Sequence, residues 1–235
     1  MIRLVAFDAD DTLWQNETEY IKTKEKYKKL LSSYSRPELT EEKLFEMEMQ
    51  NLSTWGYGIK AFTISMIEAA IELSGGKITA LEIEKIIGYS REMLNARLPL
   101  LPHARETVAE LSQSYDLMII TKGDLFEQEN KIIRSGLNSF FKYMEVLSEK
   151  TAQSYSDVLD KYDIQPSGFL MVGNSLRSDI LPVIEIGAIA VYIPHPLTWA
   201  HENSVDGSVS NRDGYFEIKH LGELPELIKK LEGEC

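Results

Sequence analysis

The chain opens on a short apolar run, Leu4-Val5-Ala6-Phe7, that stops abruptly at Asp8-Ala9-Asp10-Asp11-Thr12. A run of this length bounded by polar residues reads as a parallel strand buried on both faces. From Leu13 to about Leu98 the apolar spacing is helical. Tyr20, Ile21, Tyr27, Leu30 and Leu31 mark a helix over Glu17 to Tyr34, which Arg36-Pro37 breaks. Thr40 before Glu41 and Glu42 is an N-cap with an acidic first turn, starting a second helix that runs to about Leu52. Trp55-Gly56-Tyr57-Gly58 interrupts, Ile59 to Leu73 resumes, Gly75-Gly76 ends that helix, and Thr79 to Ala96 supplies a fourth.

Beyond Pro99 and Pro102 the period alternates. Strands are predicted over Leu117–Ile120, Tyr143–Leu147, Phe169–Val172 and Ala188–Ile193. Helices are predicted over Thr107–Ser112, Glu127–Ser135, Ala152–Tyr162, Asp179–Ile186 and Leu224–Leu231, with a loop from Pro194 to Asp213. This order predicts an α/β fold, a parallel sheet with helices on both faces and right-handed crossovers. The first strand belongs to the same sheet, so the four early helices form an inserted module. The expected division is 1–15 with 100–235 for the α/β core, and 16–99 for the helical insertion.

Composition narrows the class. Hydrophobic residues make up 43% of the 235 positions and charged residues 26%, which suits a globular interior and an ordinary surface. The net charge of −12 argues against general binding to nucleic acid or to an anionic membrane. The five lysines between Lys22 and Lys29 alternate with Glu25 and apolar positions and read as a solvated helix face. The one cysteine, Cys235, excludes an internal disulfide and points to a reducing compartment. No apolar run reaches membrane-spanning length, and the chain begins at a strand rather than a signal peptide, so a cytoplasmic location is expected.

The polar residues gather at one end of the strands. Ligands bind at the carboxyl edge of open parallel sheets, and four strands end there in polar clusters. The first ends in Asp8 and Asp10, which share a side if the extended path continues. Such a pair of carboxylates persists with a cation or a shared proton; a solvated acidic turn is the alternative on this stretch alone. The second ends in Thr121-Lys122-Gly123-Asp124, the third in Ser148-Glu149-Lys150-Thr151, and the fourth in Gly173-Asn174-Ser175-Leu176-Arg177-Ser178-Asp179. Taken singly, Thr121 could bond its own backbone and Lys150 could be a solvated helix-start lysine.

In this order the four clusters resemble the motifs of the haloacid dehalogenase-like hydrolases: Asp8 to Thr12 first, Thr121 second, Lys150 third, Gly173 to Asp179 fourth. The resemblance implies a Rossmann-like core and makes the helical insertion similar to the helical cap of one branch. It also implies Asp8 as nucleophile and Mg²⁺ as cofactor. A second Asp at position 10 resembles the phosphatases rather than the dehalogenases, so a small phosphorylated metabolite is the implied substrate. By the same resemblance Asp10 is the general acid and base, its backbone carbonyl a metal ligand; Thr121 and Lys150 are catalytic and, with Lys122, hold the phosphate. Asp8, Asp10, Asn174 and Asp179 are the implied metal set. The family usually carries Asp where this chain has Asn174, which removes one negative charge from the site. The alternatives are a haloacid dehalogenase and a catalytically weak binding or regulatory member.

Several further residues invite weaker readings. Lys122 and Arg177 add positive potential near the site or serve as surface charge. Trp55 and Tyr57 pack the helical module or face the substrate; His195, Trp199 and His201 belong to a packed loop or line the entrance.

Overall fold

A computed structural model describes residues 1–197, 199 and 212–233. Six strands form one sheet: β1 (Leu4–Phe7), β2 (Asp116–Lys122), β3 (Tyr143–Leu147), β4 (Phe169–Gly173), β5 (Ile189–Tyr192) and β6 (Tyr215–Glu217). Their order is β3-β2-β1-β4-β5-β6, and every neighbouring pair is parallel. The α/β parallel sheet predicted from the apolar runs is therefore present. The sixth strand was not predicted, because Tyr215-Phe216-Glu217 is too short to carry an alternating pattern.

The sheet separates two cores by the parity of its side chains. Val5, Phe7, Leu117, Ile119, Leu170, Val172 and Val191 pack on one side, with Ala104, Val108, Leu111, Ile132, Leu224 and Ile228 from the covering helices. Leu4, Ala6, Met118, Ile120, Phe169, Met171 and Ala190 pack on the other, with Tyr155, Val158, Leu159 and Val183. Successive strand residues point to opposite faces, so a strand covered on both sides must be apolar throughout. That requirement explains the unbroken Leu4–Phe7 run, all four of whose residues are buried.

The helices are α1 (Glu17–Leu30), α2 (Pro37–Trp55), α3 (Ile59–Leu73), α4 (Ala80–Asn95), α5 (Ala104–Leu111), α6 (Leu125–Ser135), α7 (Ala152–Lys161), α8 (Leu181–Glu185) and α9 (Leu224–Leu231). Two depart from the spacing. Pro37 does not break a helix but starts α2 at its first position, where a missing N–H costs nothing. Thr40 is then inside α2, and its hydroxyl donates to the Arg36 carbonyl at 3.0 Å instead of capping. The helix expected from Asp179 begins earlier, as a π-helical turn over Leu176–Ile180 that leads into α8.

The chain divides into two compact units. One comprises Met1–Glu17, Leu98–Lys122 and the residues from Gln128 onward; the other comprises Thr18–Arg97 with Gly123–Glu127. The second has its own core, in which Tyr27, Leu31, Leu44, Ile59, Phe62, Met66, Ala70, Ile86 and Met93 are buried together. Within the first, the two segments that lead to the other unit run side by side. Gln15 N donates to the Pro99 carbonyl at 3.0 Å and Leu101 N to the Leu13 carbonyl at 2.9 Å. No helix among the described residues is long and apolar enough to cross a membrane.

Tyr27 is fully buried in the helical unit and its hydroxyl donates to the Met66 carbonyl at 2.8 Å. Tyr27→Phe removes that bond and keeps the packing, so it should destabilise the protein by about 1 kcal/mol in urea denaturation.

Candidate active site

The β1 ladder runs on for one residue, with Asp8 N donating to the Val172 carbonyl at 2.8 Å, and then turns sharply. Leu13 N returns to the Ala9 carbonyl at 2.9 Å, and Asp11 N donates to the Trp14 carbonyl at 2.7 Å. Asp11 takes a left-handed conformation, φ 60°, to make the turn. Its buried carboxylate accepts from the backbone N–H groups of Asn16 at 2.9 Å and Glu17 at 3.0 Å, so it closes the start of α1. Burial pushes the Asp11 carboxyl up from the usual range, against the pull of those N–H groups.

Five side chains meet beside this turn. Lys150 Nζ donates to Asp8 Oδ1 and to Asp179 Oδ1, both at 2.6 Å. Thr12 Oγ1 lies 3.0 Å from Asp8 Oδ2 and 3.2 Å from Asn174 Oδ1, two acceptors for its one proton. Asp179 Oδ2 accepts from Ser175 N at 3.0 Å, within the π-helical turn. Lys150 is no solvated lysine: its side chain is 1% exposed, just ahead of the Thr151–Ser154 capping box that starts α7.

Gly173 has a steric reason. A Cβ there would lie 2.3 Å from the Asp179 carboxyl group, so only glycine lets β4 pass this close. Helical π-turns recur at functional sites, and this one aims Asp179 back across the end of β4.

Charge is unbalanced in this cluster. Burial lifts the Asp8 carboxyl to about 7, Lys150 opposes the rise, and the nearby Asp179 and Asp10 add to it. Burial also disfavours the Lys150 ammonium, but Asp179 and Asp8 outweigh that and hold its pKa above the ordinary lysine value. Two carboxylates share one ammonium, so with both ionised the cluster carries one net negative charge in a buried place. Asp8, Asn174 and Asp179 present hard oxygen donors there. No three His, Cys, Asp or Glu side chains among the described residues form a metal cage by themselves. Magnesium suits such a set, because it takes few carboxylates and completes its shell with other oxygens. The donor chemistry and the excess charge both fit Mg²⁺.

Asp10 faces a different group. Its Oδ1 accepts from Trp14 Nε1 at 2.7 Å and Lys131 Nζ at 3.1 Å; its Oδ2 accepts from Gln128 Nε2 and Lys131 Nζ, each at 2.9 Å. Gln128 and Lys131 carry little signal in the sequence. The available signal was two polar side chains, three apart, on what proves to be the buried side of α6.

The remaining candidates are dispersed. Thr121 is buried at the end of β2, its hydroxyl donating to the Lys122 carbonyl at 3.3 Å. Lys122 Nζ donates to Ser178 Oγ at 3.0 Å, which ties the second motif to the fourth. His195 Nε2 stands 3.9 Å from Asp11 Oδ1. Trp55 is exposed and Tyr57 half-buried in the helical unit, and Trp199 is half-buried. His201 lies outside the described residues.

The strand-end cluster belongs to a recognisable class. The profile of haloacid dehalogenase-like hydrolases matches residues 2–187, and the chain is a member of that family. It is 26% identical over 240 residues to a glyceraldehyde 3-phosphate phosphatase of Methanothermobacter thermautotrophicus, covering 97% of this chain and 100% of the other. A protein of the same name from Methanocaldococcus jannaschii is 27% identical, with 99% of each chain covered. Among solved structures, a haloacid dehalogenase-like family hydrolase from Xanthomonas campestris superposes with a TM-score of 0.88 at 37% identity, covering 99% of this chain and 93% of that one.

Two outcomes follow from the site's geometry. Gly173→Ala should displace the Asp179 carboxylate and destabilise the protein by about 1–3 kcal/mol, the usual cost of overpacking, read from urea denaturation. The raised Asp8 pKa means that the folded state binds a proton more readily than the unfolded one. The resulting stabilisation is complete below the unfolded value of 3.8 and is lost as pH rises through about 7. In EDTA, Asp8→Asn should therefore melt above wild type at pH 8, with a smaller advantage at pH 5, in a thermal shift series.

Proposed function

We propose that the protein is a Mg²⁺-dependent phosphatase of small phosphate monoesters that works through an aspartyl-phosphate on Asp8. The observation that carries this reading is the Asp8–Lys150–Asp179 cluster at the carboxyl edge of the sheet, with Asn174 and Thr12 against it. Its support from relatives is the phosphatase name borne by proteins that align over nearly the whole chain.

A carboxylate approaching a phosphate dianion meets two like charges, each costing roughly 4 kcal/mol at about 4 Å and an effective dielectric near 20. Mg²⁺ would be held by Asp8, Asn174, Asp179 and the Asp10 carbonyl, and would supply positive charge that offsets this repulsion. Lys150 adds its ammonium beside Asp8, and Thr121 with Lys122 would hold the phosphoryl oxygens. Asp8 attacks phosphorus, the bond to the leaving oxygen breaks, and Asp10 gives that oxygen a proton. Water then attacks the aspartyl-phosphate, Asp10 takes a proton from it, and phosphate leaves with Asp8 restored. A dehalogenase would not need a second carboxylate to protonate an alkoxide, and here Asp10 is held in place by three donors.

The helical unit, residues 16–99, would act as a cap that restricts the site to small metabolites. A reducing cytoplasm suits a chain whose one cysteine is Cys235.

The test is hydrolysis of p-nitrophenyl phosphate, triose phosphates and sugar phosphates with Mg²⁺ and with EDTA. Turnover that needs Mg²⁺ and vanishes in Asp8→Asn is expected. Asn174→Asp should lower the Mg²⁺ concentration for half-maximal rate, because it adds a unit charge beside the ion. Activity in EDTA, or Asp8→Asn retaining a substantial part of the wild-type rate, overturns the proposal.

A further inference from the structure

Five residues belong to the helical unit although their neighbours in the chain do not. Gly123–Glu127 follows β2 and opens α6, yet it groups with Thr18–Arg97, while Lys122 and Gln128 on either side of it belong to the unit that holds the sheet. The chain therefore passes between the units at 17/18, 97/98, 122/123 and 127/128. The first two passages follow the paired segments at Gln15 and Pro99. The other two enclose a stretch that starts directly after Thr121 and Lys122.

A helix without a cap of its own holds this stretch to the helical unit. α3 begins at Ile59 behind Gly58, which has no side chain to offer. The first N–H groups of a helix have no partner within it, and a buried start must find one elsewhere. Glu127, 3% exposed, provides it: its Oε2 accepts from Ile59 N at 2.9 Å, across 68 positions of sequence. A carboxylate is also the charge that the positive end of a helix favours. Beside it Lys60 Nζ donates to Asp124 Oδ1 at 2.9 Å. Gly58 is fitted to both, with φ 104° and a Cβ position that would lie 3.0 Å from Glu127 Oε2 and 3.3 Å from Asp124 N.

The stretch is braced along its length as well. Glu127 N donates to Asp124 Oδ1 at 3.0 Å. Gln128, 1% exposed, donates from Nε2 to the Lys122 carbonyl at 3.1 Å and so closes the loop at its two ends. Adjacent residues of α6 thus hold different things: Glu127 the start of α3, Gln128 the end of β2. One peptide bond joins them, so neither anchor shifts without the other.

We infer that Glu127 is a positioning residue through which the start of α3 and the phosphate-holding end of β2 are set together. This rests on the phosphatase reading, which gives Thr121 and Lys122 the phosphoryl oxygens. Phosphate that fixes one end of a braced segment lowers the cost of ordering the other end. Such coupling is reciprocal in binding free energy: phosphate steadies α3, and an anchored α3 improves phosphate binding. Glu127 touches no phosphate; it acts through the segment 122–128.

Inorganic phosphate with Mg²⁺ is the probe, with hydrogen exchange reading the peptides and calorimetry the affinity. In wild type, phosphate should slow exchange over residues 58–66, at the start of α3, as well as over 117–124. Glu127→Leu should keep the response over 117–124, lose the one over 58–66, and weaken phosphate binding by about 5-fold, the low end of usual coupling between sites. Glu127→Gln retains an oxygen that can accept from Ile59 N and should restore most of both. Gly58→Ala disturbs the same contact from the α3 side and should also weaken phosphate binding. Combined with Glu127→Leu it should be no worse than the poorer single variant. Lys60→Met removes an ion pair whose lysine is 57% exposed, so it serves should Glu127→Leu not fold, with a smaller loss of the same kind. Unchanged phosphate affinity in the folded variant, full protection of 58–66 without Glu127, or additive losses in the double variant overturn the inference and leave the phosphatase reading intact. A wild type in which phosphate changes nothing over 117–124 overturns both.

Discussion

One ammonium shared by two buried carboxylates is the constraint on which the site depends. Lys150 stands 2.6 Å from both Asp8 and Asp179, and these groups come from the ends of three different strand–helix connections. Removing charges from water costs several kcal/mol per ion, and only close geometry with further hydrogen bonds repays it. The further bonds are present: Thr12 beside Asp8, and the Ser175 N–H on Asp179. Gly173 follows from the same demand, because any side chain there would push Asp179 off the lysine. The local structure is thus arranged around an ion cluster that is not electrically complete.

That incompleteness distinguishes this cluster from a structural salt bridge. A structural salt bridge would give Asp8 a cation of its own; here it shares Lys150 with Asp179, and burial lifts its pKa to about 7 in spite of that lysine. Perturbed carboxylates of this kind gather where charge is to be handled. Asn174 fits the same view: an amide at this point faces Thr12 without adding a third carboxylate to an already repulsive site.

Much of this was legible in the residues because parallel sheets impose a strict rule. Leu4–Phe7 had to be apolar throughout to lie between two helical layers, so Asp8 marked the strand's end unambiguously. The clusters that start at Thr121 and Gly173 likewise begin at the ends of β2 and β4, and Lys150 comes shortly after β3. Boundaries were less legible where two signals competed. Pro37 can break one helix or start the next, and the chain used it to start one. The π-helical turn at Leu176–Ile180 has no periodicity of its own in so short a stretch. Helix α6 hid its contribution differently, by inverting the usual pattern. Glu127, Gln128, Lys131 and Ser135 are buried, whereas Leu125, Phe126 and Ile133 are exposed. An apolar stripe is normally read as the inward face. Here the partners of Asp10 lie on the polar one, and only tertiary geometry reveals it.

The strand order also sets a timetable for the chain during synthesis. β1 is made first and sits at the centre of the sheet, but its register partners are β2, where Leu4 meets Asp116, and β4, where Leu4 meets Phe169. Until those segments exist, Leu4–Phe7 is an apolar stretch with nothing to pair with, and such a stretch invites contact with other chains. Apart from Gly123–Glu127, the helical unit is made in the interval, and the residues of its core, Tyr27 to Met93, all precede β2. A condensed insertion shortens the span that the sheet must bridge, bringing Gln15 and Pro99 together as a short doorway instead of leaving a long slack loop. Placing the helices between the first strand and its partners thus puts the residues of a complete second core ahead of the strands that β1 must wait for.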